Sequence, residues 1–493
     1  MTEILQRSET LSYLMSVCVR VILAALFTAD GFREVPLSLT RRQVLSGIGG
    51  LAVVGIAAAG SARYWLGYRD SREGRRYELI AAPLDVELVS GHTTQAWAFG
   101  NSAPGTELRV RQGDWLHVRF INQLPVATTI HWHGIRLPLS MDGVPYVSQL
   151  PVLPGESFDY RFRVMDAGSY WYHPHVGSSE QLGRGLVGPL IIDERDPPGF
   201  EHERTLCLKN WHVDESGKFL PFSILREAAR GGTLGRLSTV NGAPQPTIDL
   251  PAGEVVRVRL LNLDSTATYR INLRGNAEIR VYTLDGHPIE PRPLEDEYWL
   301  GPGMRMCLAI RMGVSGDCLA LRDGPVRLGT LRAIASRATT TWPPRLKANP
   351  VAEPDLAKAE LLRFTFEWAA RLSPSMETVR APNLWQINGK AWDIDERSCV
   401  DRPIARLKLG SSYIFELRNV TQYQHPIHLH GMTFKVLSSD KRPIVPYFTD
   451  TFLLGKNERA RIALVADNPG IWMFHCHVID HMETGLMAAI EVS

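Results

Sequence analysis

Near its carboxyl end the chain reads GIWMFHCHVIDHMETGLM, which sets Cys476 between His475 and His477 and places His481 four residues further on. Thiolate and neutral imidazole are soft and borderline donors, the kind that bind copper and zinc. Ten of the fifteen histidines fall in four short clusters. These are HWHG (His131, His133), HPH (His173, His175), HPIHLHG (His425, His428, His430) and HCHVIDH (His475, His477, His481). The clusters match in pairs. GSYWYHPH aligns with GIWMFHCH and HWHG with HLHG, so Pro174 stands where Cys476 stands.

Strand periodicity sorts these donors into two sites. Side chains two apart share one face of a strand, and odd neighbours take the other. Each HxH pair therefore presents two imidazoles together, and eight imidazoles from four strands are expected to converge. Cys476 must point away from His475 and His477, and His425, three residues before His428, turns away likewise. With His481 they form a second site of two imidazoles and one thiolate, the ligand set of a blue-copper electron-transfer centre. Zinc sites use the same residue types, but zinc has no redox chemistry that would need two sites joined through the peptide bonds of Cys476.

The elements that must hold these donors are strands. Alternating runs such as ELRVRQGDWLHVRF and EVVRVRLLN, separated by turn residues, are an all-β pattern. GDWLHVRFIN, GEVVRVRLLN and GSSYIFELRN each open on a turn glycine and close on an asparagine nine positions later, at Asn122, Asn262 and Asn419. One unit has been triplicated. Each copy is long enough for a Greek-key sandwich of short strands, and three packed β-sandwiches are expected. An amino-terminal region (residues 1–70) precedes copies at 71–198, 199–340 and 361–493. Residues 341–360, with Pro343, Pro344, Pro350 and Pro354, read as a linker. The middle copy has no HxH pair, and its His202, His212 and His287 are expected to be structural or surface residues.

At 493 residues the chain exceeds one core, and its 54 basic and 52 acidic side chains nearly cancel. Bulk charge therefore gives no reason to expect a nucleic-acid partner. The six cysteines are too dispersed for a disulfide scaffold. Cys307 and Cys318 either pair in an oxidising compartment or are buried free thiols. Before the first copy, Arg41 and Arg42 precede the apolar run SGIGGLAVVGIAAAGSA, which resembles a twin-arginine export signal. An ordinary membrane anchor is the alternative. A second apolar stretch, SYLMSVCVRVILAALFT, carries Arg20 and is either an upstream extension or a further membrane contact.

From residue 77 to 493 the chain resembles the three-domain multicopper oxidases, the family of laccases, ascorbate oxidase, bilirubin oxidase and bacterial copper-tolerance oxidases, with all four copper motifs in family order. The resemblance implies cupredoxin domains, four copper ions and reduction of dioxygen to water, coupled to four one-electron oxidations of a reductant. By motif position, His425, Cys476 and His481 would hold the type 1 copper. His131 and His428 would hold the type 2 ion, and His133, His173, His175, His430, His475 and His477 the type 3 pair. Electrons would pass from Cys476 to His475 and His477. Asp142, in MDGVP, looks like an acidic residue kept beside the trinuclear cluster for proton delivery, and is equally readable as a turn residue. Asp450, in FTDTFLL, would orient a ligand histidine or meet substrate. At the axial position ten residues after Cys476, where many bacterial members have methionine, this chain has Leu486, with Met487 beside it.

The twelve methionines look scattered, and Met304, Met306 and Met312 are expected in the middle core. The absence of a methionine-rich insert favours a phenol or aromatic amine as reductant. Met482, directly after His481, keeps a cuprous or ferrous reductant as the alternative. A copper carrier or metal-free descendant would have let the ligands erode. A pure electron-transfer module would need only His425, Cys476 and His481. A monomer in the periplasm or otherwise exported is expected, brought there by the twin-arginine machinery.

Overall fold

The computed structural model describes residues 74–369, 383–392 and 398–493. The twin-arginine stretch, both amino-terminal apolar runs and Cys18 lie outside the described residues, as does the side chain of Cys399. Among the described residues, six sheets form three successive pairs. In the first pair, one sheet runs in the order His92–Phe99, Arg75–Val89, Trp115–Asn122, Ser157–Arg163. The other runs Leu108–Arg111, Gly188–Asp193, Gly168–His173, His131–His133. Phe99, Phe120 and Tyr160 of the first sheet share one core with Trp132, Tyr172 and Leu190 of the second. This is the two-layer sandwich that half-buried strands require.

The three repeated decamers become the same strand three times. Trp115–Asn122, Val255–Asn262 and Ser412–Asn419 each run parallel to the opening strand of their own segment and antiparallel to a later one. In the outer copies their alternation puts Leu116, Val118 and Phe120, and Tyr413, Phe415 and Leu417, into the cores. The middle strand is buried on both faces, because its charged side chains meet partners from the first segment. Arg257 donates to Glu194 (2.9 and 2.6 Å), and Arg259 donates to Ser169 Oγ (3.0 Å).

The closing asparagines explain themselves. Asn122 Nδ2 donates to the Val126 and Val152 carbonyls (both 2.9 Å) while its Oδ1 accepts the Leu124 N–H (2.9 Å). Asn262 does the same with Ala267, Leu300 and Asp264, and Asn419 with Tyr423, Gly455 and Thr421. Each ties down the loop that follows, a turn that an asparagine amide makes with its own chain. In the outer copies that loop leads into a histidine strand.

Residues 341–359 lack regular strands, the next strand opening at Glu360, but they are not a loose tether. Asn349 is buried, with its Nδ2 donating to the Ala167 and Gly286 carbonyls (both 2.9 Å), and Arg136 donates to the Pro350 carbonyl (2.9 Å). Met304, Met306 and Met312 do pack in the middle core. Cys307 and Cys318 are free, on strands of different sheets, and Cys318 is exposed, contrary to the expectation that both thiols are buried. His202 faces Glu254 (2.9 Å), His212 donates to the Pro221 carbonyl (2.9 Å), and His287 is buried.

Candidate metal centres

The strands His131–His133 and Gly168–His173 are antiparallel neighbours, with His131 directly opposite His173. Their counterparts in the third segment put His428 opposite His475. His175, His430 and His477 follow just past the ends of their strands. The outer segments meet about an approximate two-fold: His131 stacks on His430 with ring centroids 3.9 Å apart, and His133 on His428 at 3.8 Å. All eight imidazoles are brought together. Ring nitrogens approach within 4.8 Å in the groups His131, His133, His428; His133, His173, His477; and His175, His430, His475.

Five of these rings use Nδ1–H to fix their orientation. His131 donates to the Asp142 carbonyl (2.9 Å), His173 to that of Pro174 (2.8 Å), His428 to that of Asp450 (2.8 Å), His475 to that of Cys476 (2.9 Å), and His430 to Asp142 Oδ2 (2.9 Å). The inward nitrogens are different. Nε2 of His131, His173, His175 and His428, Nδ1 of His133 and both nitrogens of His477 are buried without a hydrogen-bond partner. Each such atom costs about 1–3 kcal/mol if nothing meets it, so their convergence fits a metal cluster. Burial and neighbouring imidazoles hold His133, His173, His175, His428, His430 and His477 well below their usual range, and burial takes His475 down to about 4. Neutral imidazole is the form that binds metal.

On the opposite face of strand Gly470–Cys476, a second set converges. His425 Nδ1 and His481 Nδ1 are 3.1 Å apart, and Cys476 Sγ lies 3.5 and 3.6 Å from them. The outer nitrogens are held: His425 Nε2–H donates to Thr421 Oγ1 (3.0 Å) and His481 Nε2–H to the Arg230 carbonyl (2.8 Å). His481 sits on the short helix Ile479–Glu483, and burial pushes it down to about 3. Burial raises the Cys476 thiol, an arrangement that suits a site where a cation takes the place of the proton. Leu486 is fully buried in the same core as Cys476 and accepts the Cys476 N–H on its carbonyl (3.0 Å). Met487 lies across from His475 and packs elsewhere, with Met473 and Met482, as strand parity requires.

Asp142 follows the short 3-10 helix Leu139–Met141 and serves as both turn residue and histidine partner. Its Oδ2 accepts from His430, and its Oδ1 is 3.2 Å from His131 Nδ1. Gly143 after it has φ +76°, and a Cβ there would collide with the Ile130 carbonyl. Asp450 is completely buried, so it orients histidines and does not meet substrate: its carbonyl holds His428, and its Oδ1 is 3.2 Å from His133 Nε2.

Sequence reasoning missed what the middle segment contributes. Arg305 forks onto Asp450 with Nη1 at 2.8 Å and Nη2 at 2.7 Å. Gly303 stands where a Cβ would come within 2.9 Å of His133 and 3.1 Å of His477. The glycines of GPGMR were a signal for the close approach at Gly303, and nothing marked Arg305. Trp385 covers His481 (centroids 4.4 Å apart) and donates to the Ala228 carbonyl (2.8 Å), closing the cysteine site.

Two family models, both described as multicopper oxidase, match residues 82–197 and 371–493. The crystal structure of a multi-copper oxidase from Pseudomonas thermotolerans superposes with a TM-score of 0.81 at 66% identity, covering 85% of this chain and 99% of that one. One from Pseudomonas parafulva gives 0.80 at 72% identity, covering 85% and 100%. Multicopper oxidase MmcO of Mycobacterium tuberculosis is 29% identical over 84% of this chain and 86% of its own.

Proposed function

Because this chain belongs to the multicopper oxidases, oxidoreductases that use oxygen as acceptor, we propose that it holds four copper ions in the two sites just described. His425, Cys476 and His481 would hold the type 1 ion, with the Leu486 side chain packed in the same core as Cys476 and supplying no donor. His131 and His428 hold the type 2 ion, and His133, His173, His175, His430, His475 and His477 the type 3 pair. The observation that carries this reading is the set of inward ring nitrogens without protein partners. Copper bound there supplies one-electron transfer at the first site and reduction of dioxygen to water at the second.

The chain's own residues do the rest. Cys476 is bonded through the backbone to His475 and His477, so the two sites share a covalent path. His481 reaches outward through its hydrogen bond to the Arg230 carbonyl, and Arg230 and Gly231 are exposed. A reductant therefore docks over residues 230–231. Asp142 holds the outward nitrogens of His131 and His430, and its Oδ1, 3.2 Å from His131 Nδ1, lies where a proton is relayed towards the cluster. Gly303 and Trp171 (its ring centroid 4.3 Å from His173) pack against the cluster and exclude bulk water.

The reductant we assign is a phenol or aromatic amine, since residues 221–233 over His481 include no methionine to favour a soft ion. A cuprous or ferrous ion is the second reading, favoured by the complete burial of His481, which no organic ring can touch directly. The same proposal includes export as a monomer by the twin-arginine machinery to the periplasm, supported by Arg41, Arg42 and the apolar run after them. Dioxygen uptake by copper-loaded protein, with a methoxyphenol against cuprous ion, tests the reductant. Faster uptake with the phenol is expected, and faster uptake with cuprous ion would replace the first reading with the second.

A further inference from the structure

Met473, Met482 and Met487 lie apart in the sequence, yet together they line one cavity of about 350 Å³. Met473 alternates with His475 along strand Gly470–Cys476 and so takes its face. Met487 stands directly across from His475 on the paired strand, and Met482 follows His481 on the short helix. His175 of the eight-histidine cluster also borders the cavity, and its Nε2 is buried with no partner. At the outer side the wall includes Tyr146, which is 56% exposed.

The lining has a definite chemical character. Alongside the three thioethers stand Val144, Val147 and Trp392, and among the described residues no carboxylate borders the space. A hydrated divalent cation gains little from such walls, whereas thioether sulfur is a soft donor selective for cuprous ion. An apolar passage for a neutral gas would need no sulfur, and leucine would fill the same positions at nearly equal volume. We propose that this cavity is a cuprous-ion intake site, which takes the ion in beside Tyr146, holds it on Met473, Met482 and Met487 and passes it to His175 to load the histidine cluster. The step exchanges thioether for imidazole ligands, with no change in oxidation state. It rests on the copper reading given above.

The test uses metal-free protein and the variant M473L/M482L/M487L, which keeps the apolar volume and removes the sulfurs. Under anaerobic conditions, cuprous ion is supplied as a coloured chelate whose bleaching reports transfer, and cupric loading of the same samples is timed separately. The ratio of cuprous to cupric loading rates is expected to fall by roughly tenfold or more, the scale on which removing a metal-supporting group acts. An unchanged ratio overturns the inference. Should the triple variant fail to fold, the three single leucine variants replace it, and wild-type ratios in all three overturn the inference equally. Wild-type protein that takes up copper in neither oxidation state would overturn the copper reading itself. Cupric loading that succeeds while cuprous transfer ignores the sulfurs would overturn only the intake site.

Discussion

The orientation of a metal-binding imidazole is set at the nitrogen that does not bind metal, and Asp142 serves two rings at once. Asp142→Ala should therefore lower dioxygen turnover roughly 10–100-fold while leaving the blue absorbance of the cysteine site in place, as read by oxygen uptake and visible spectra. Leu486, buried in the same core as Cys476, offers the cysteine site no donor atom from its side chain. Leu486→Met should lower the reduction potential of the cysteine site in a spectroscopic redox titration, since a new sulfur stabilises the oxidised ion. His287 tests acid stability. Burial takes it down to about 4, whereas the unfolded chain takes up this proton near 6.5. Its contribution to stability is thus complete above about 6.5 and is lost as pH falls towards about 4, amounting to up to about 3 kcal/mol. Denaturant titrations of the metal-free protein at neutral and acid pH should show a smaller acid loss in His287→Gln. At this scale the sequence was highly legible for the HxH pairs and Cys476, because a period of two assigns faces without knowledge of the fold. It was silent on Arg305, since an isolated arginine has no periodicity to mark it.

Strands and the loops between them carry the histidines into place, and the three asparagines that close the repeated strands offer a controlled comparison. Asn262→Ala removes two donated hydrogen bonds and one accepted one from a buried loop, and Asn419→Ala removes two donated and two accepted. Each should destabilise the fold by about 1–3 kcal/mol in thermal or denaturant unfolding. Only Asn419→Ala should also weaken the blue absorbance, because the loop it pins leads to Thr421 and His425. The repeats were visible in the sequence because turn glycine, alternation and closing asparagine recur in fixed register. The docking of residues 341–360 was not, since the partners of Asn349 at Ala167 and Gly286 are far away along the chain. The methionine-lined cavity was hidden for a related reason: two strands and a helix bring its sulfurs together, and no spacing in one of them announces the others.

Across the whole molecule, the middle segment holds none of the expected ligands and still shapes the cluster. Arg305 anchors Asp450, which in turn holds His428 and lies beside His133. Arg305→Leu would leave Asp450 buried without its partner, and should destabilise the protein by about 3–5 kcal/mol. Arg305→Lys keeps the charge but loses the two-pronged fork, so it should reduce copper occupancy of the histidine cluster more than that of the cysteine site, as measured by metal analysis alongside visible and electron paramagnetic spectra. The central claim is that two adjoining sites bind copper, one on Cys476 and one among the eight histidines. Anomalous diffraction from crystals of copper-loaded protein, collected on either side of the copper absorption edge, tests it most directly. One peak is expected between His425, Cys476 and His481, and a cluster of three among the eight histidines. Peaks at the cysteine site alone, or copper density away from both sets, would contradict it.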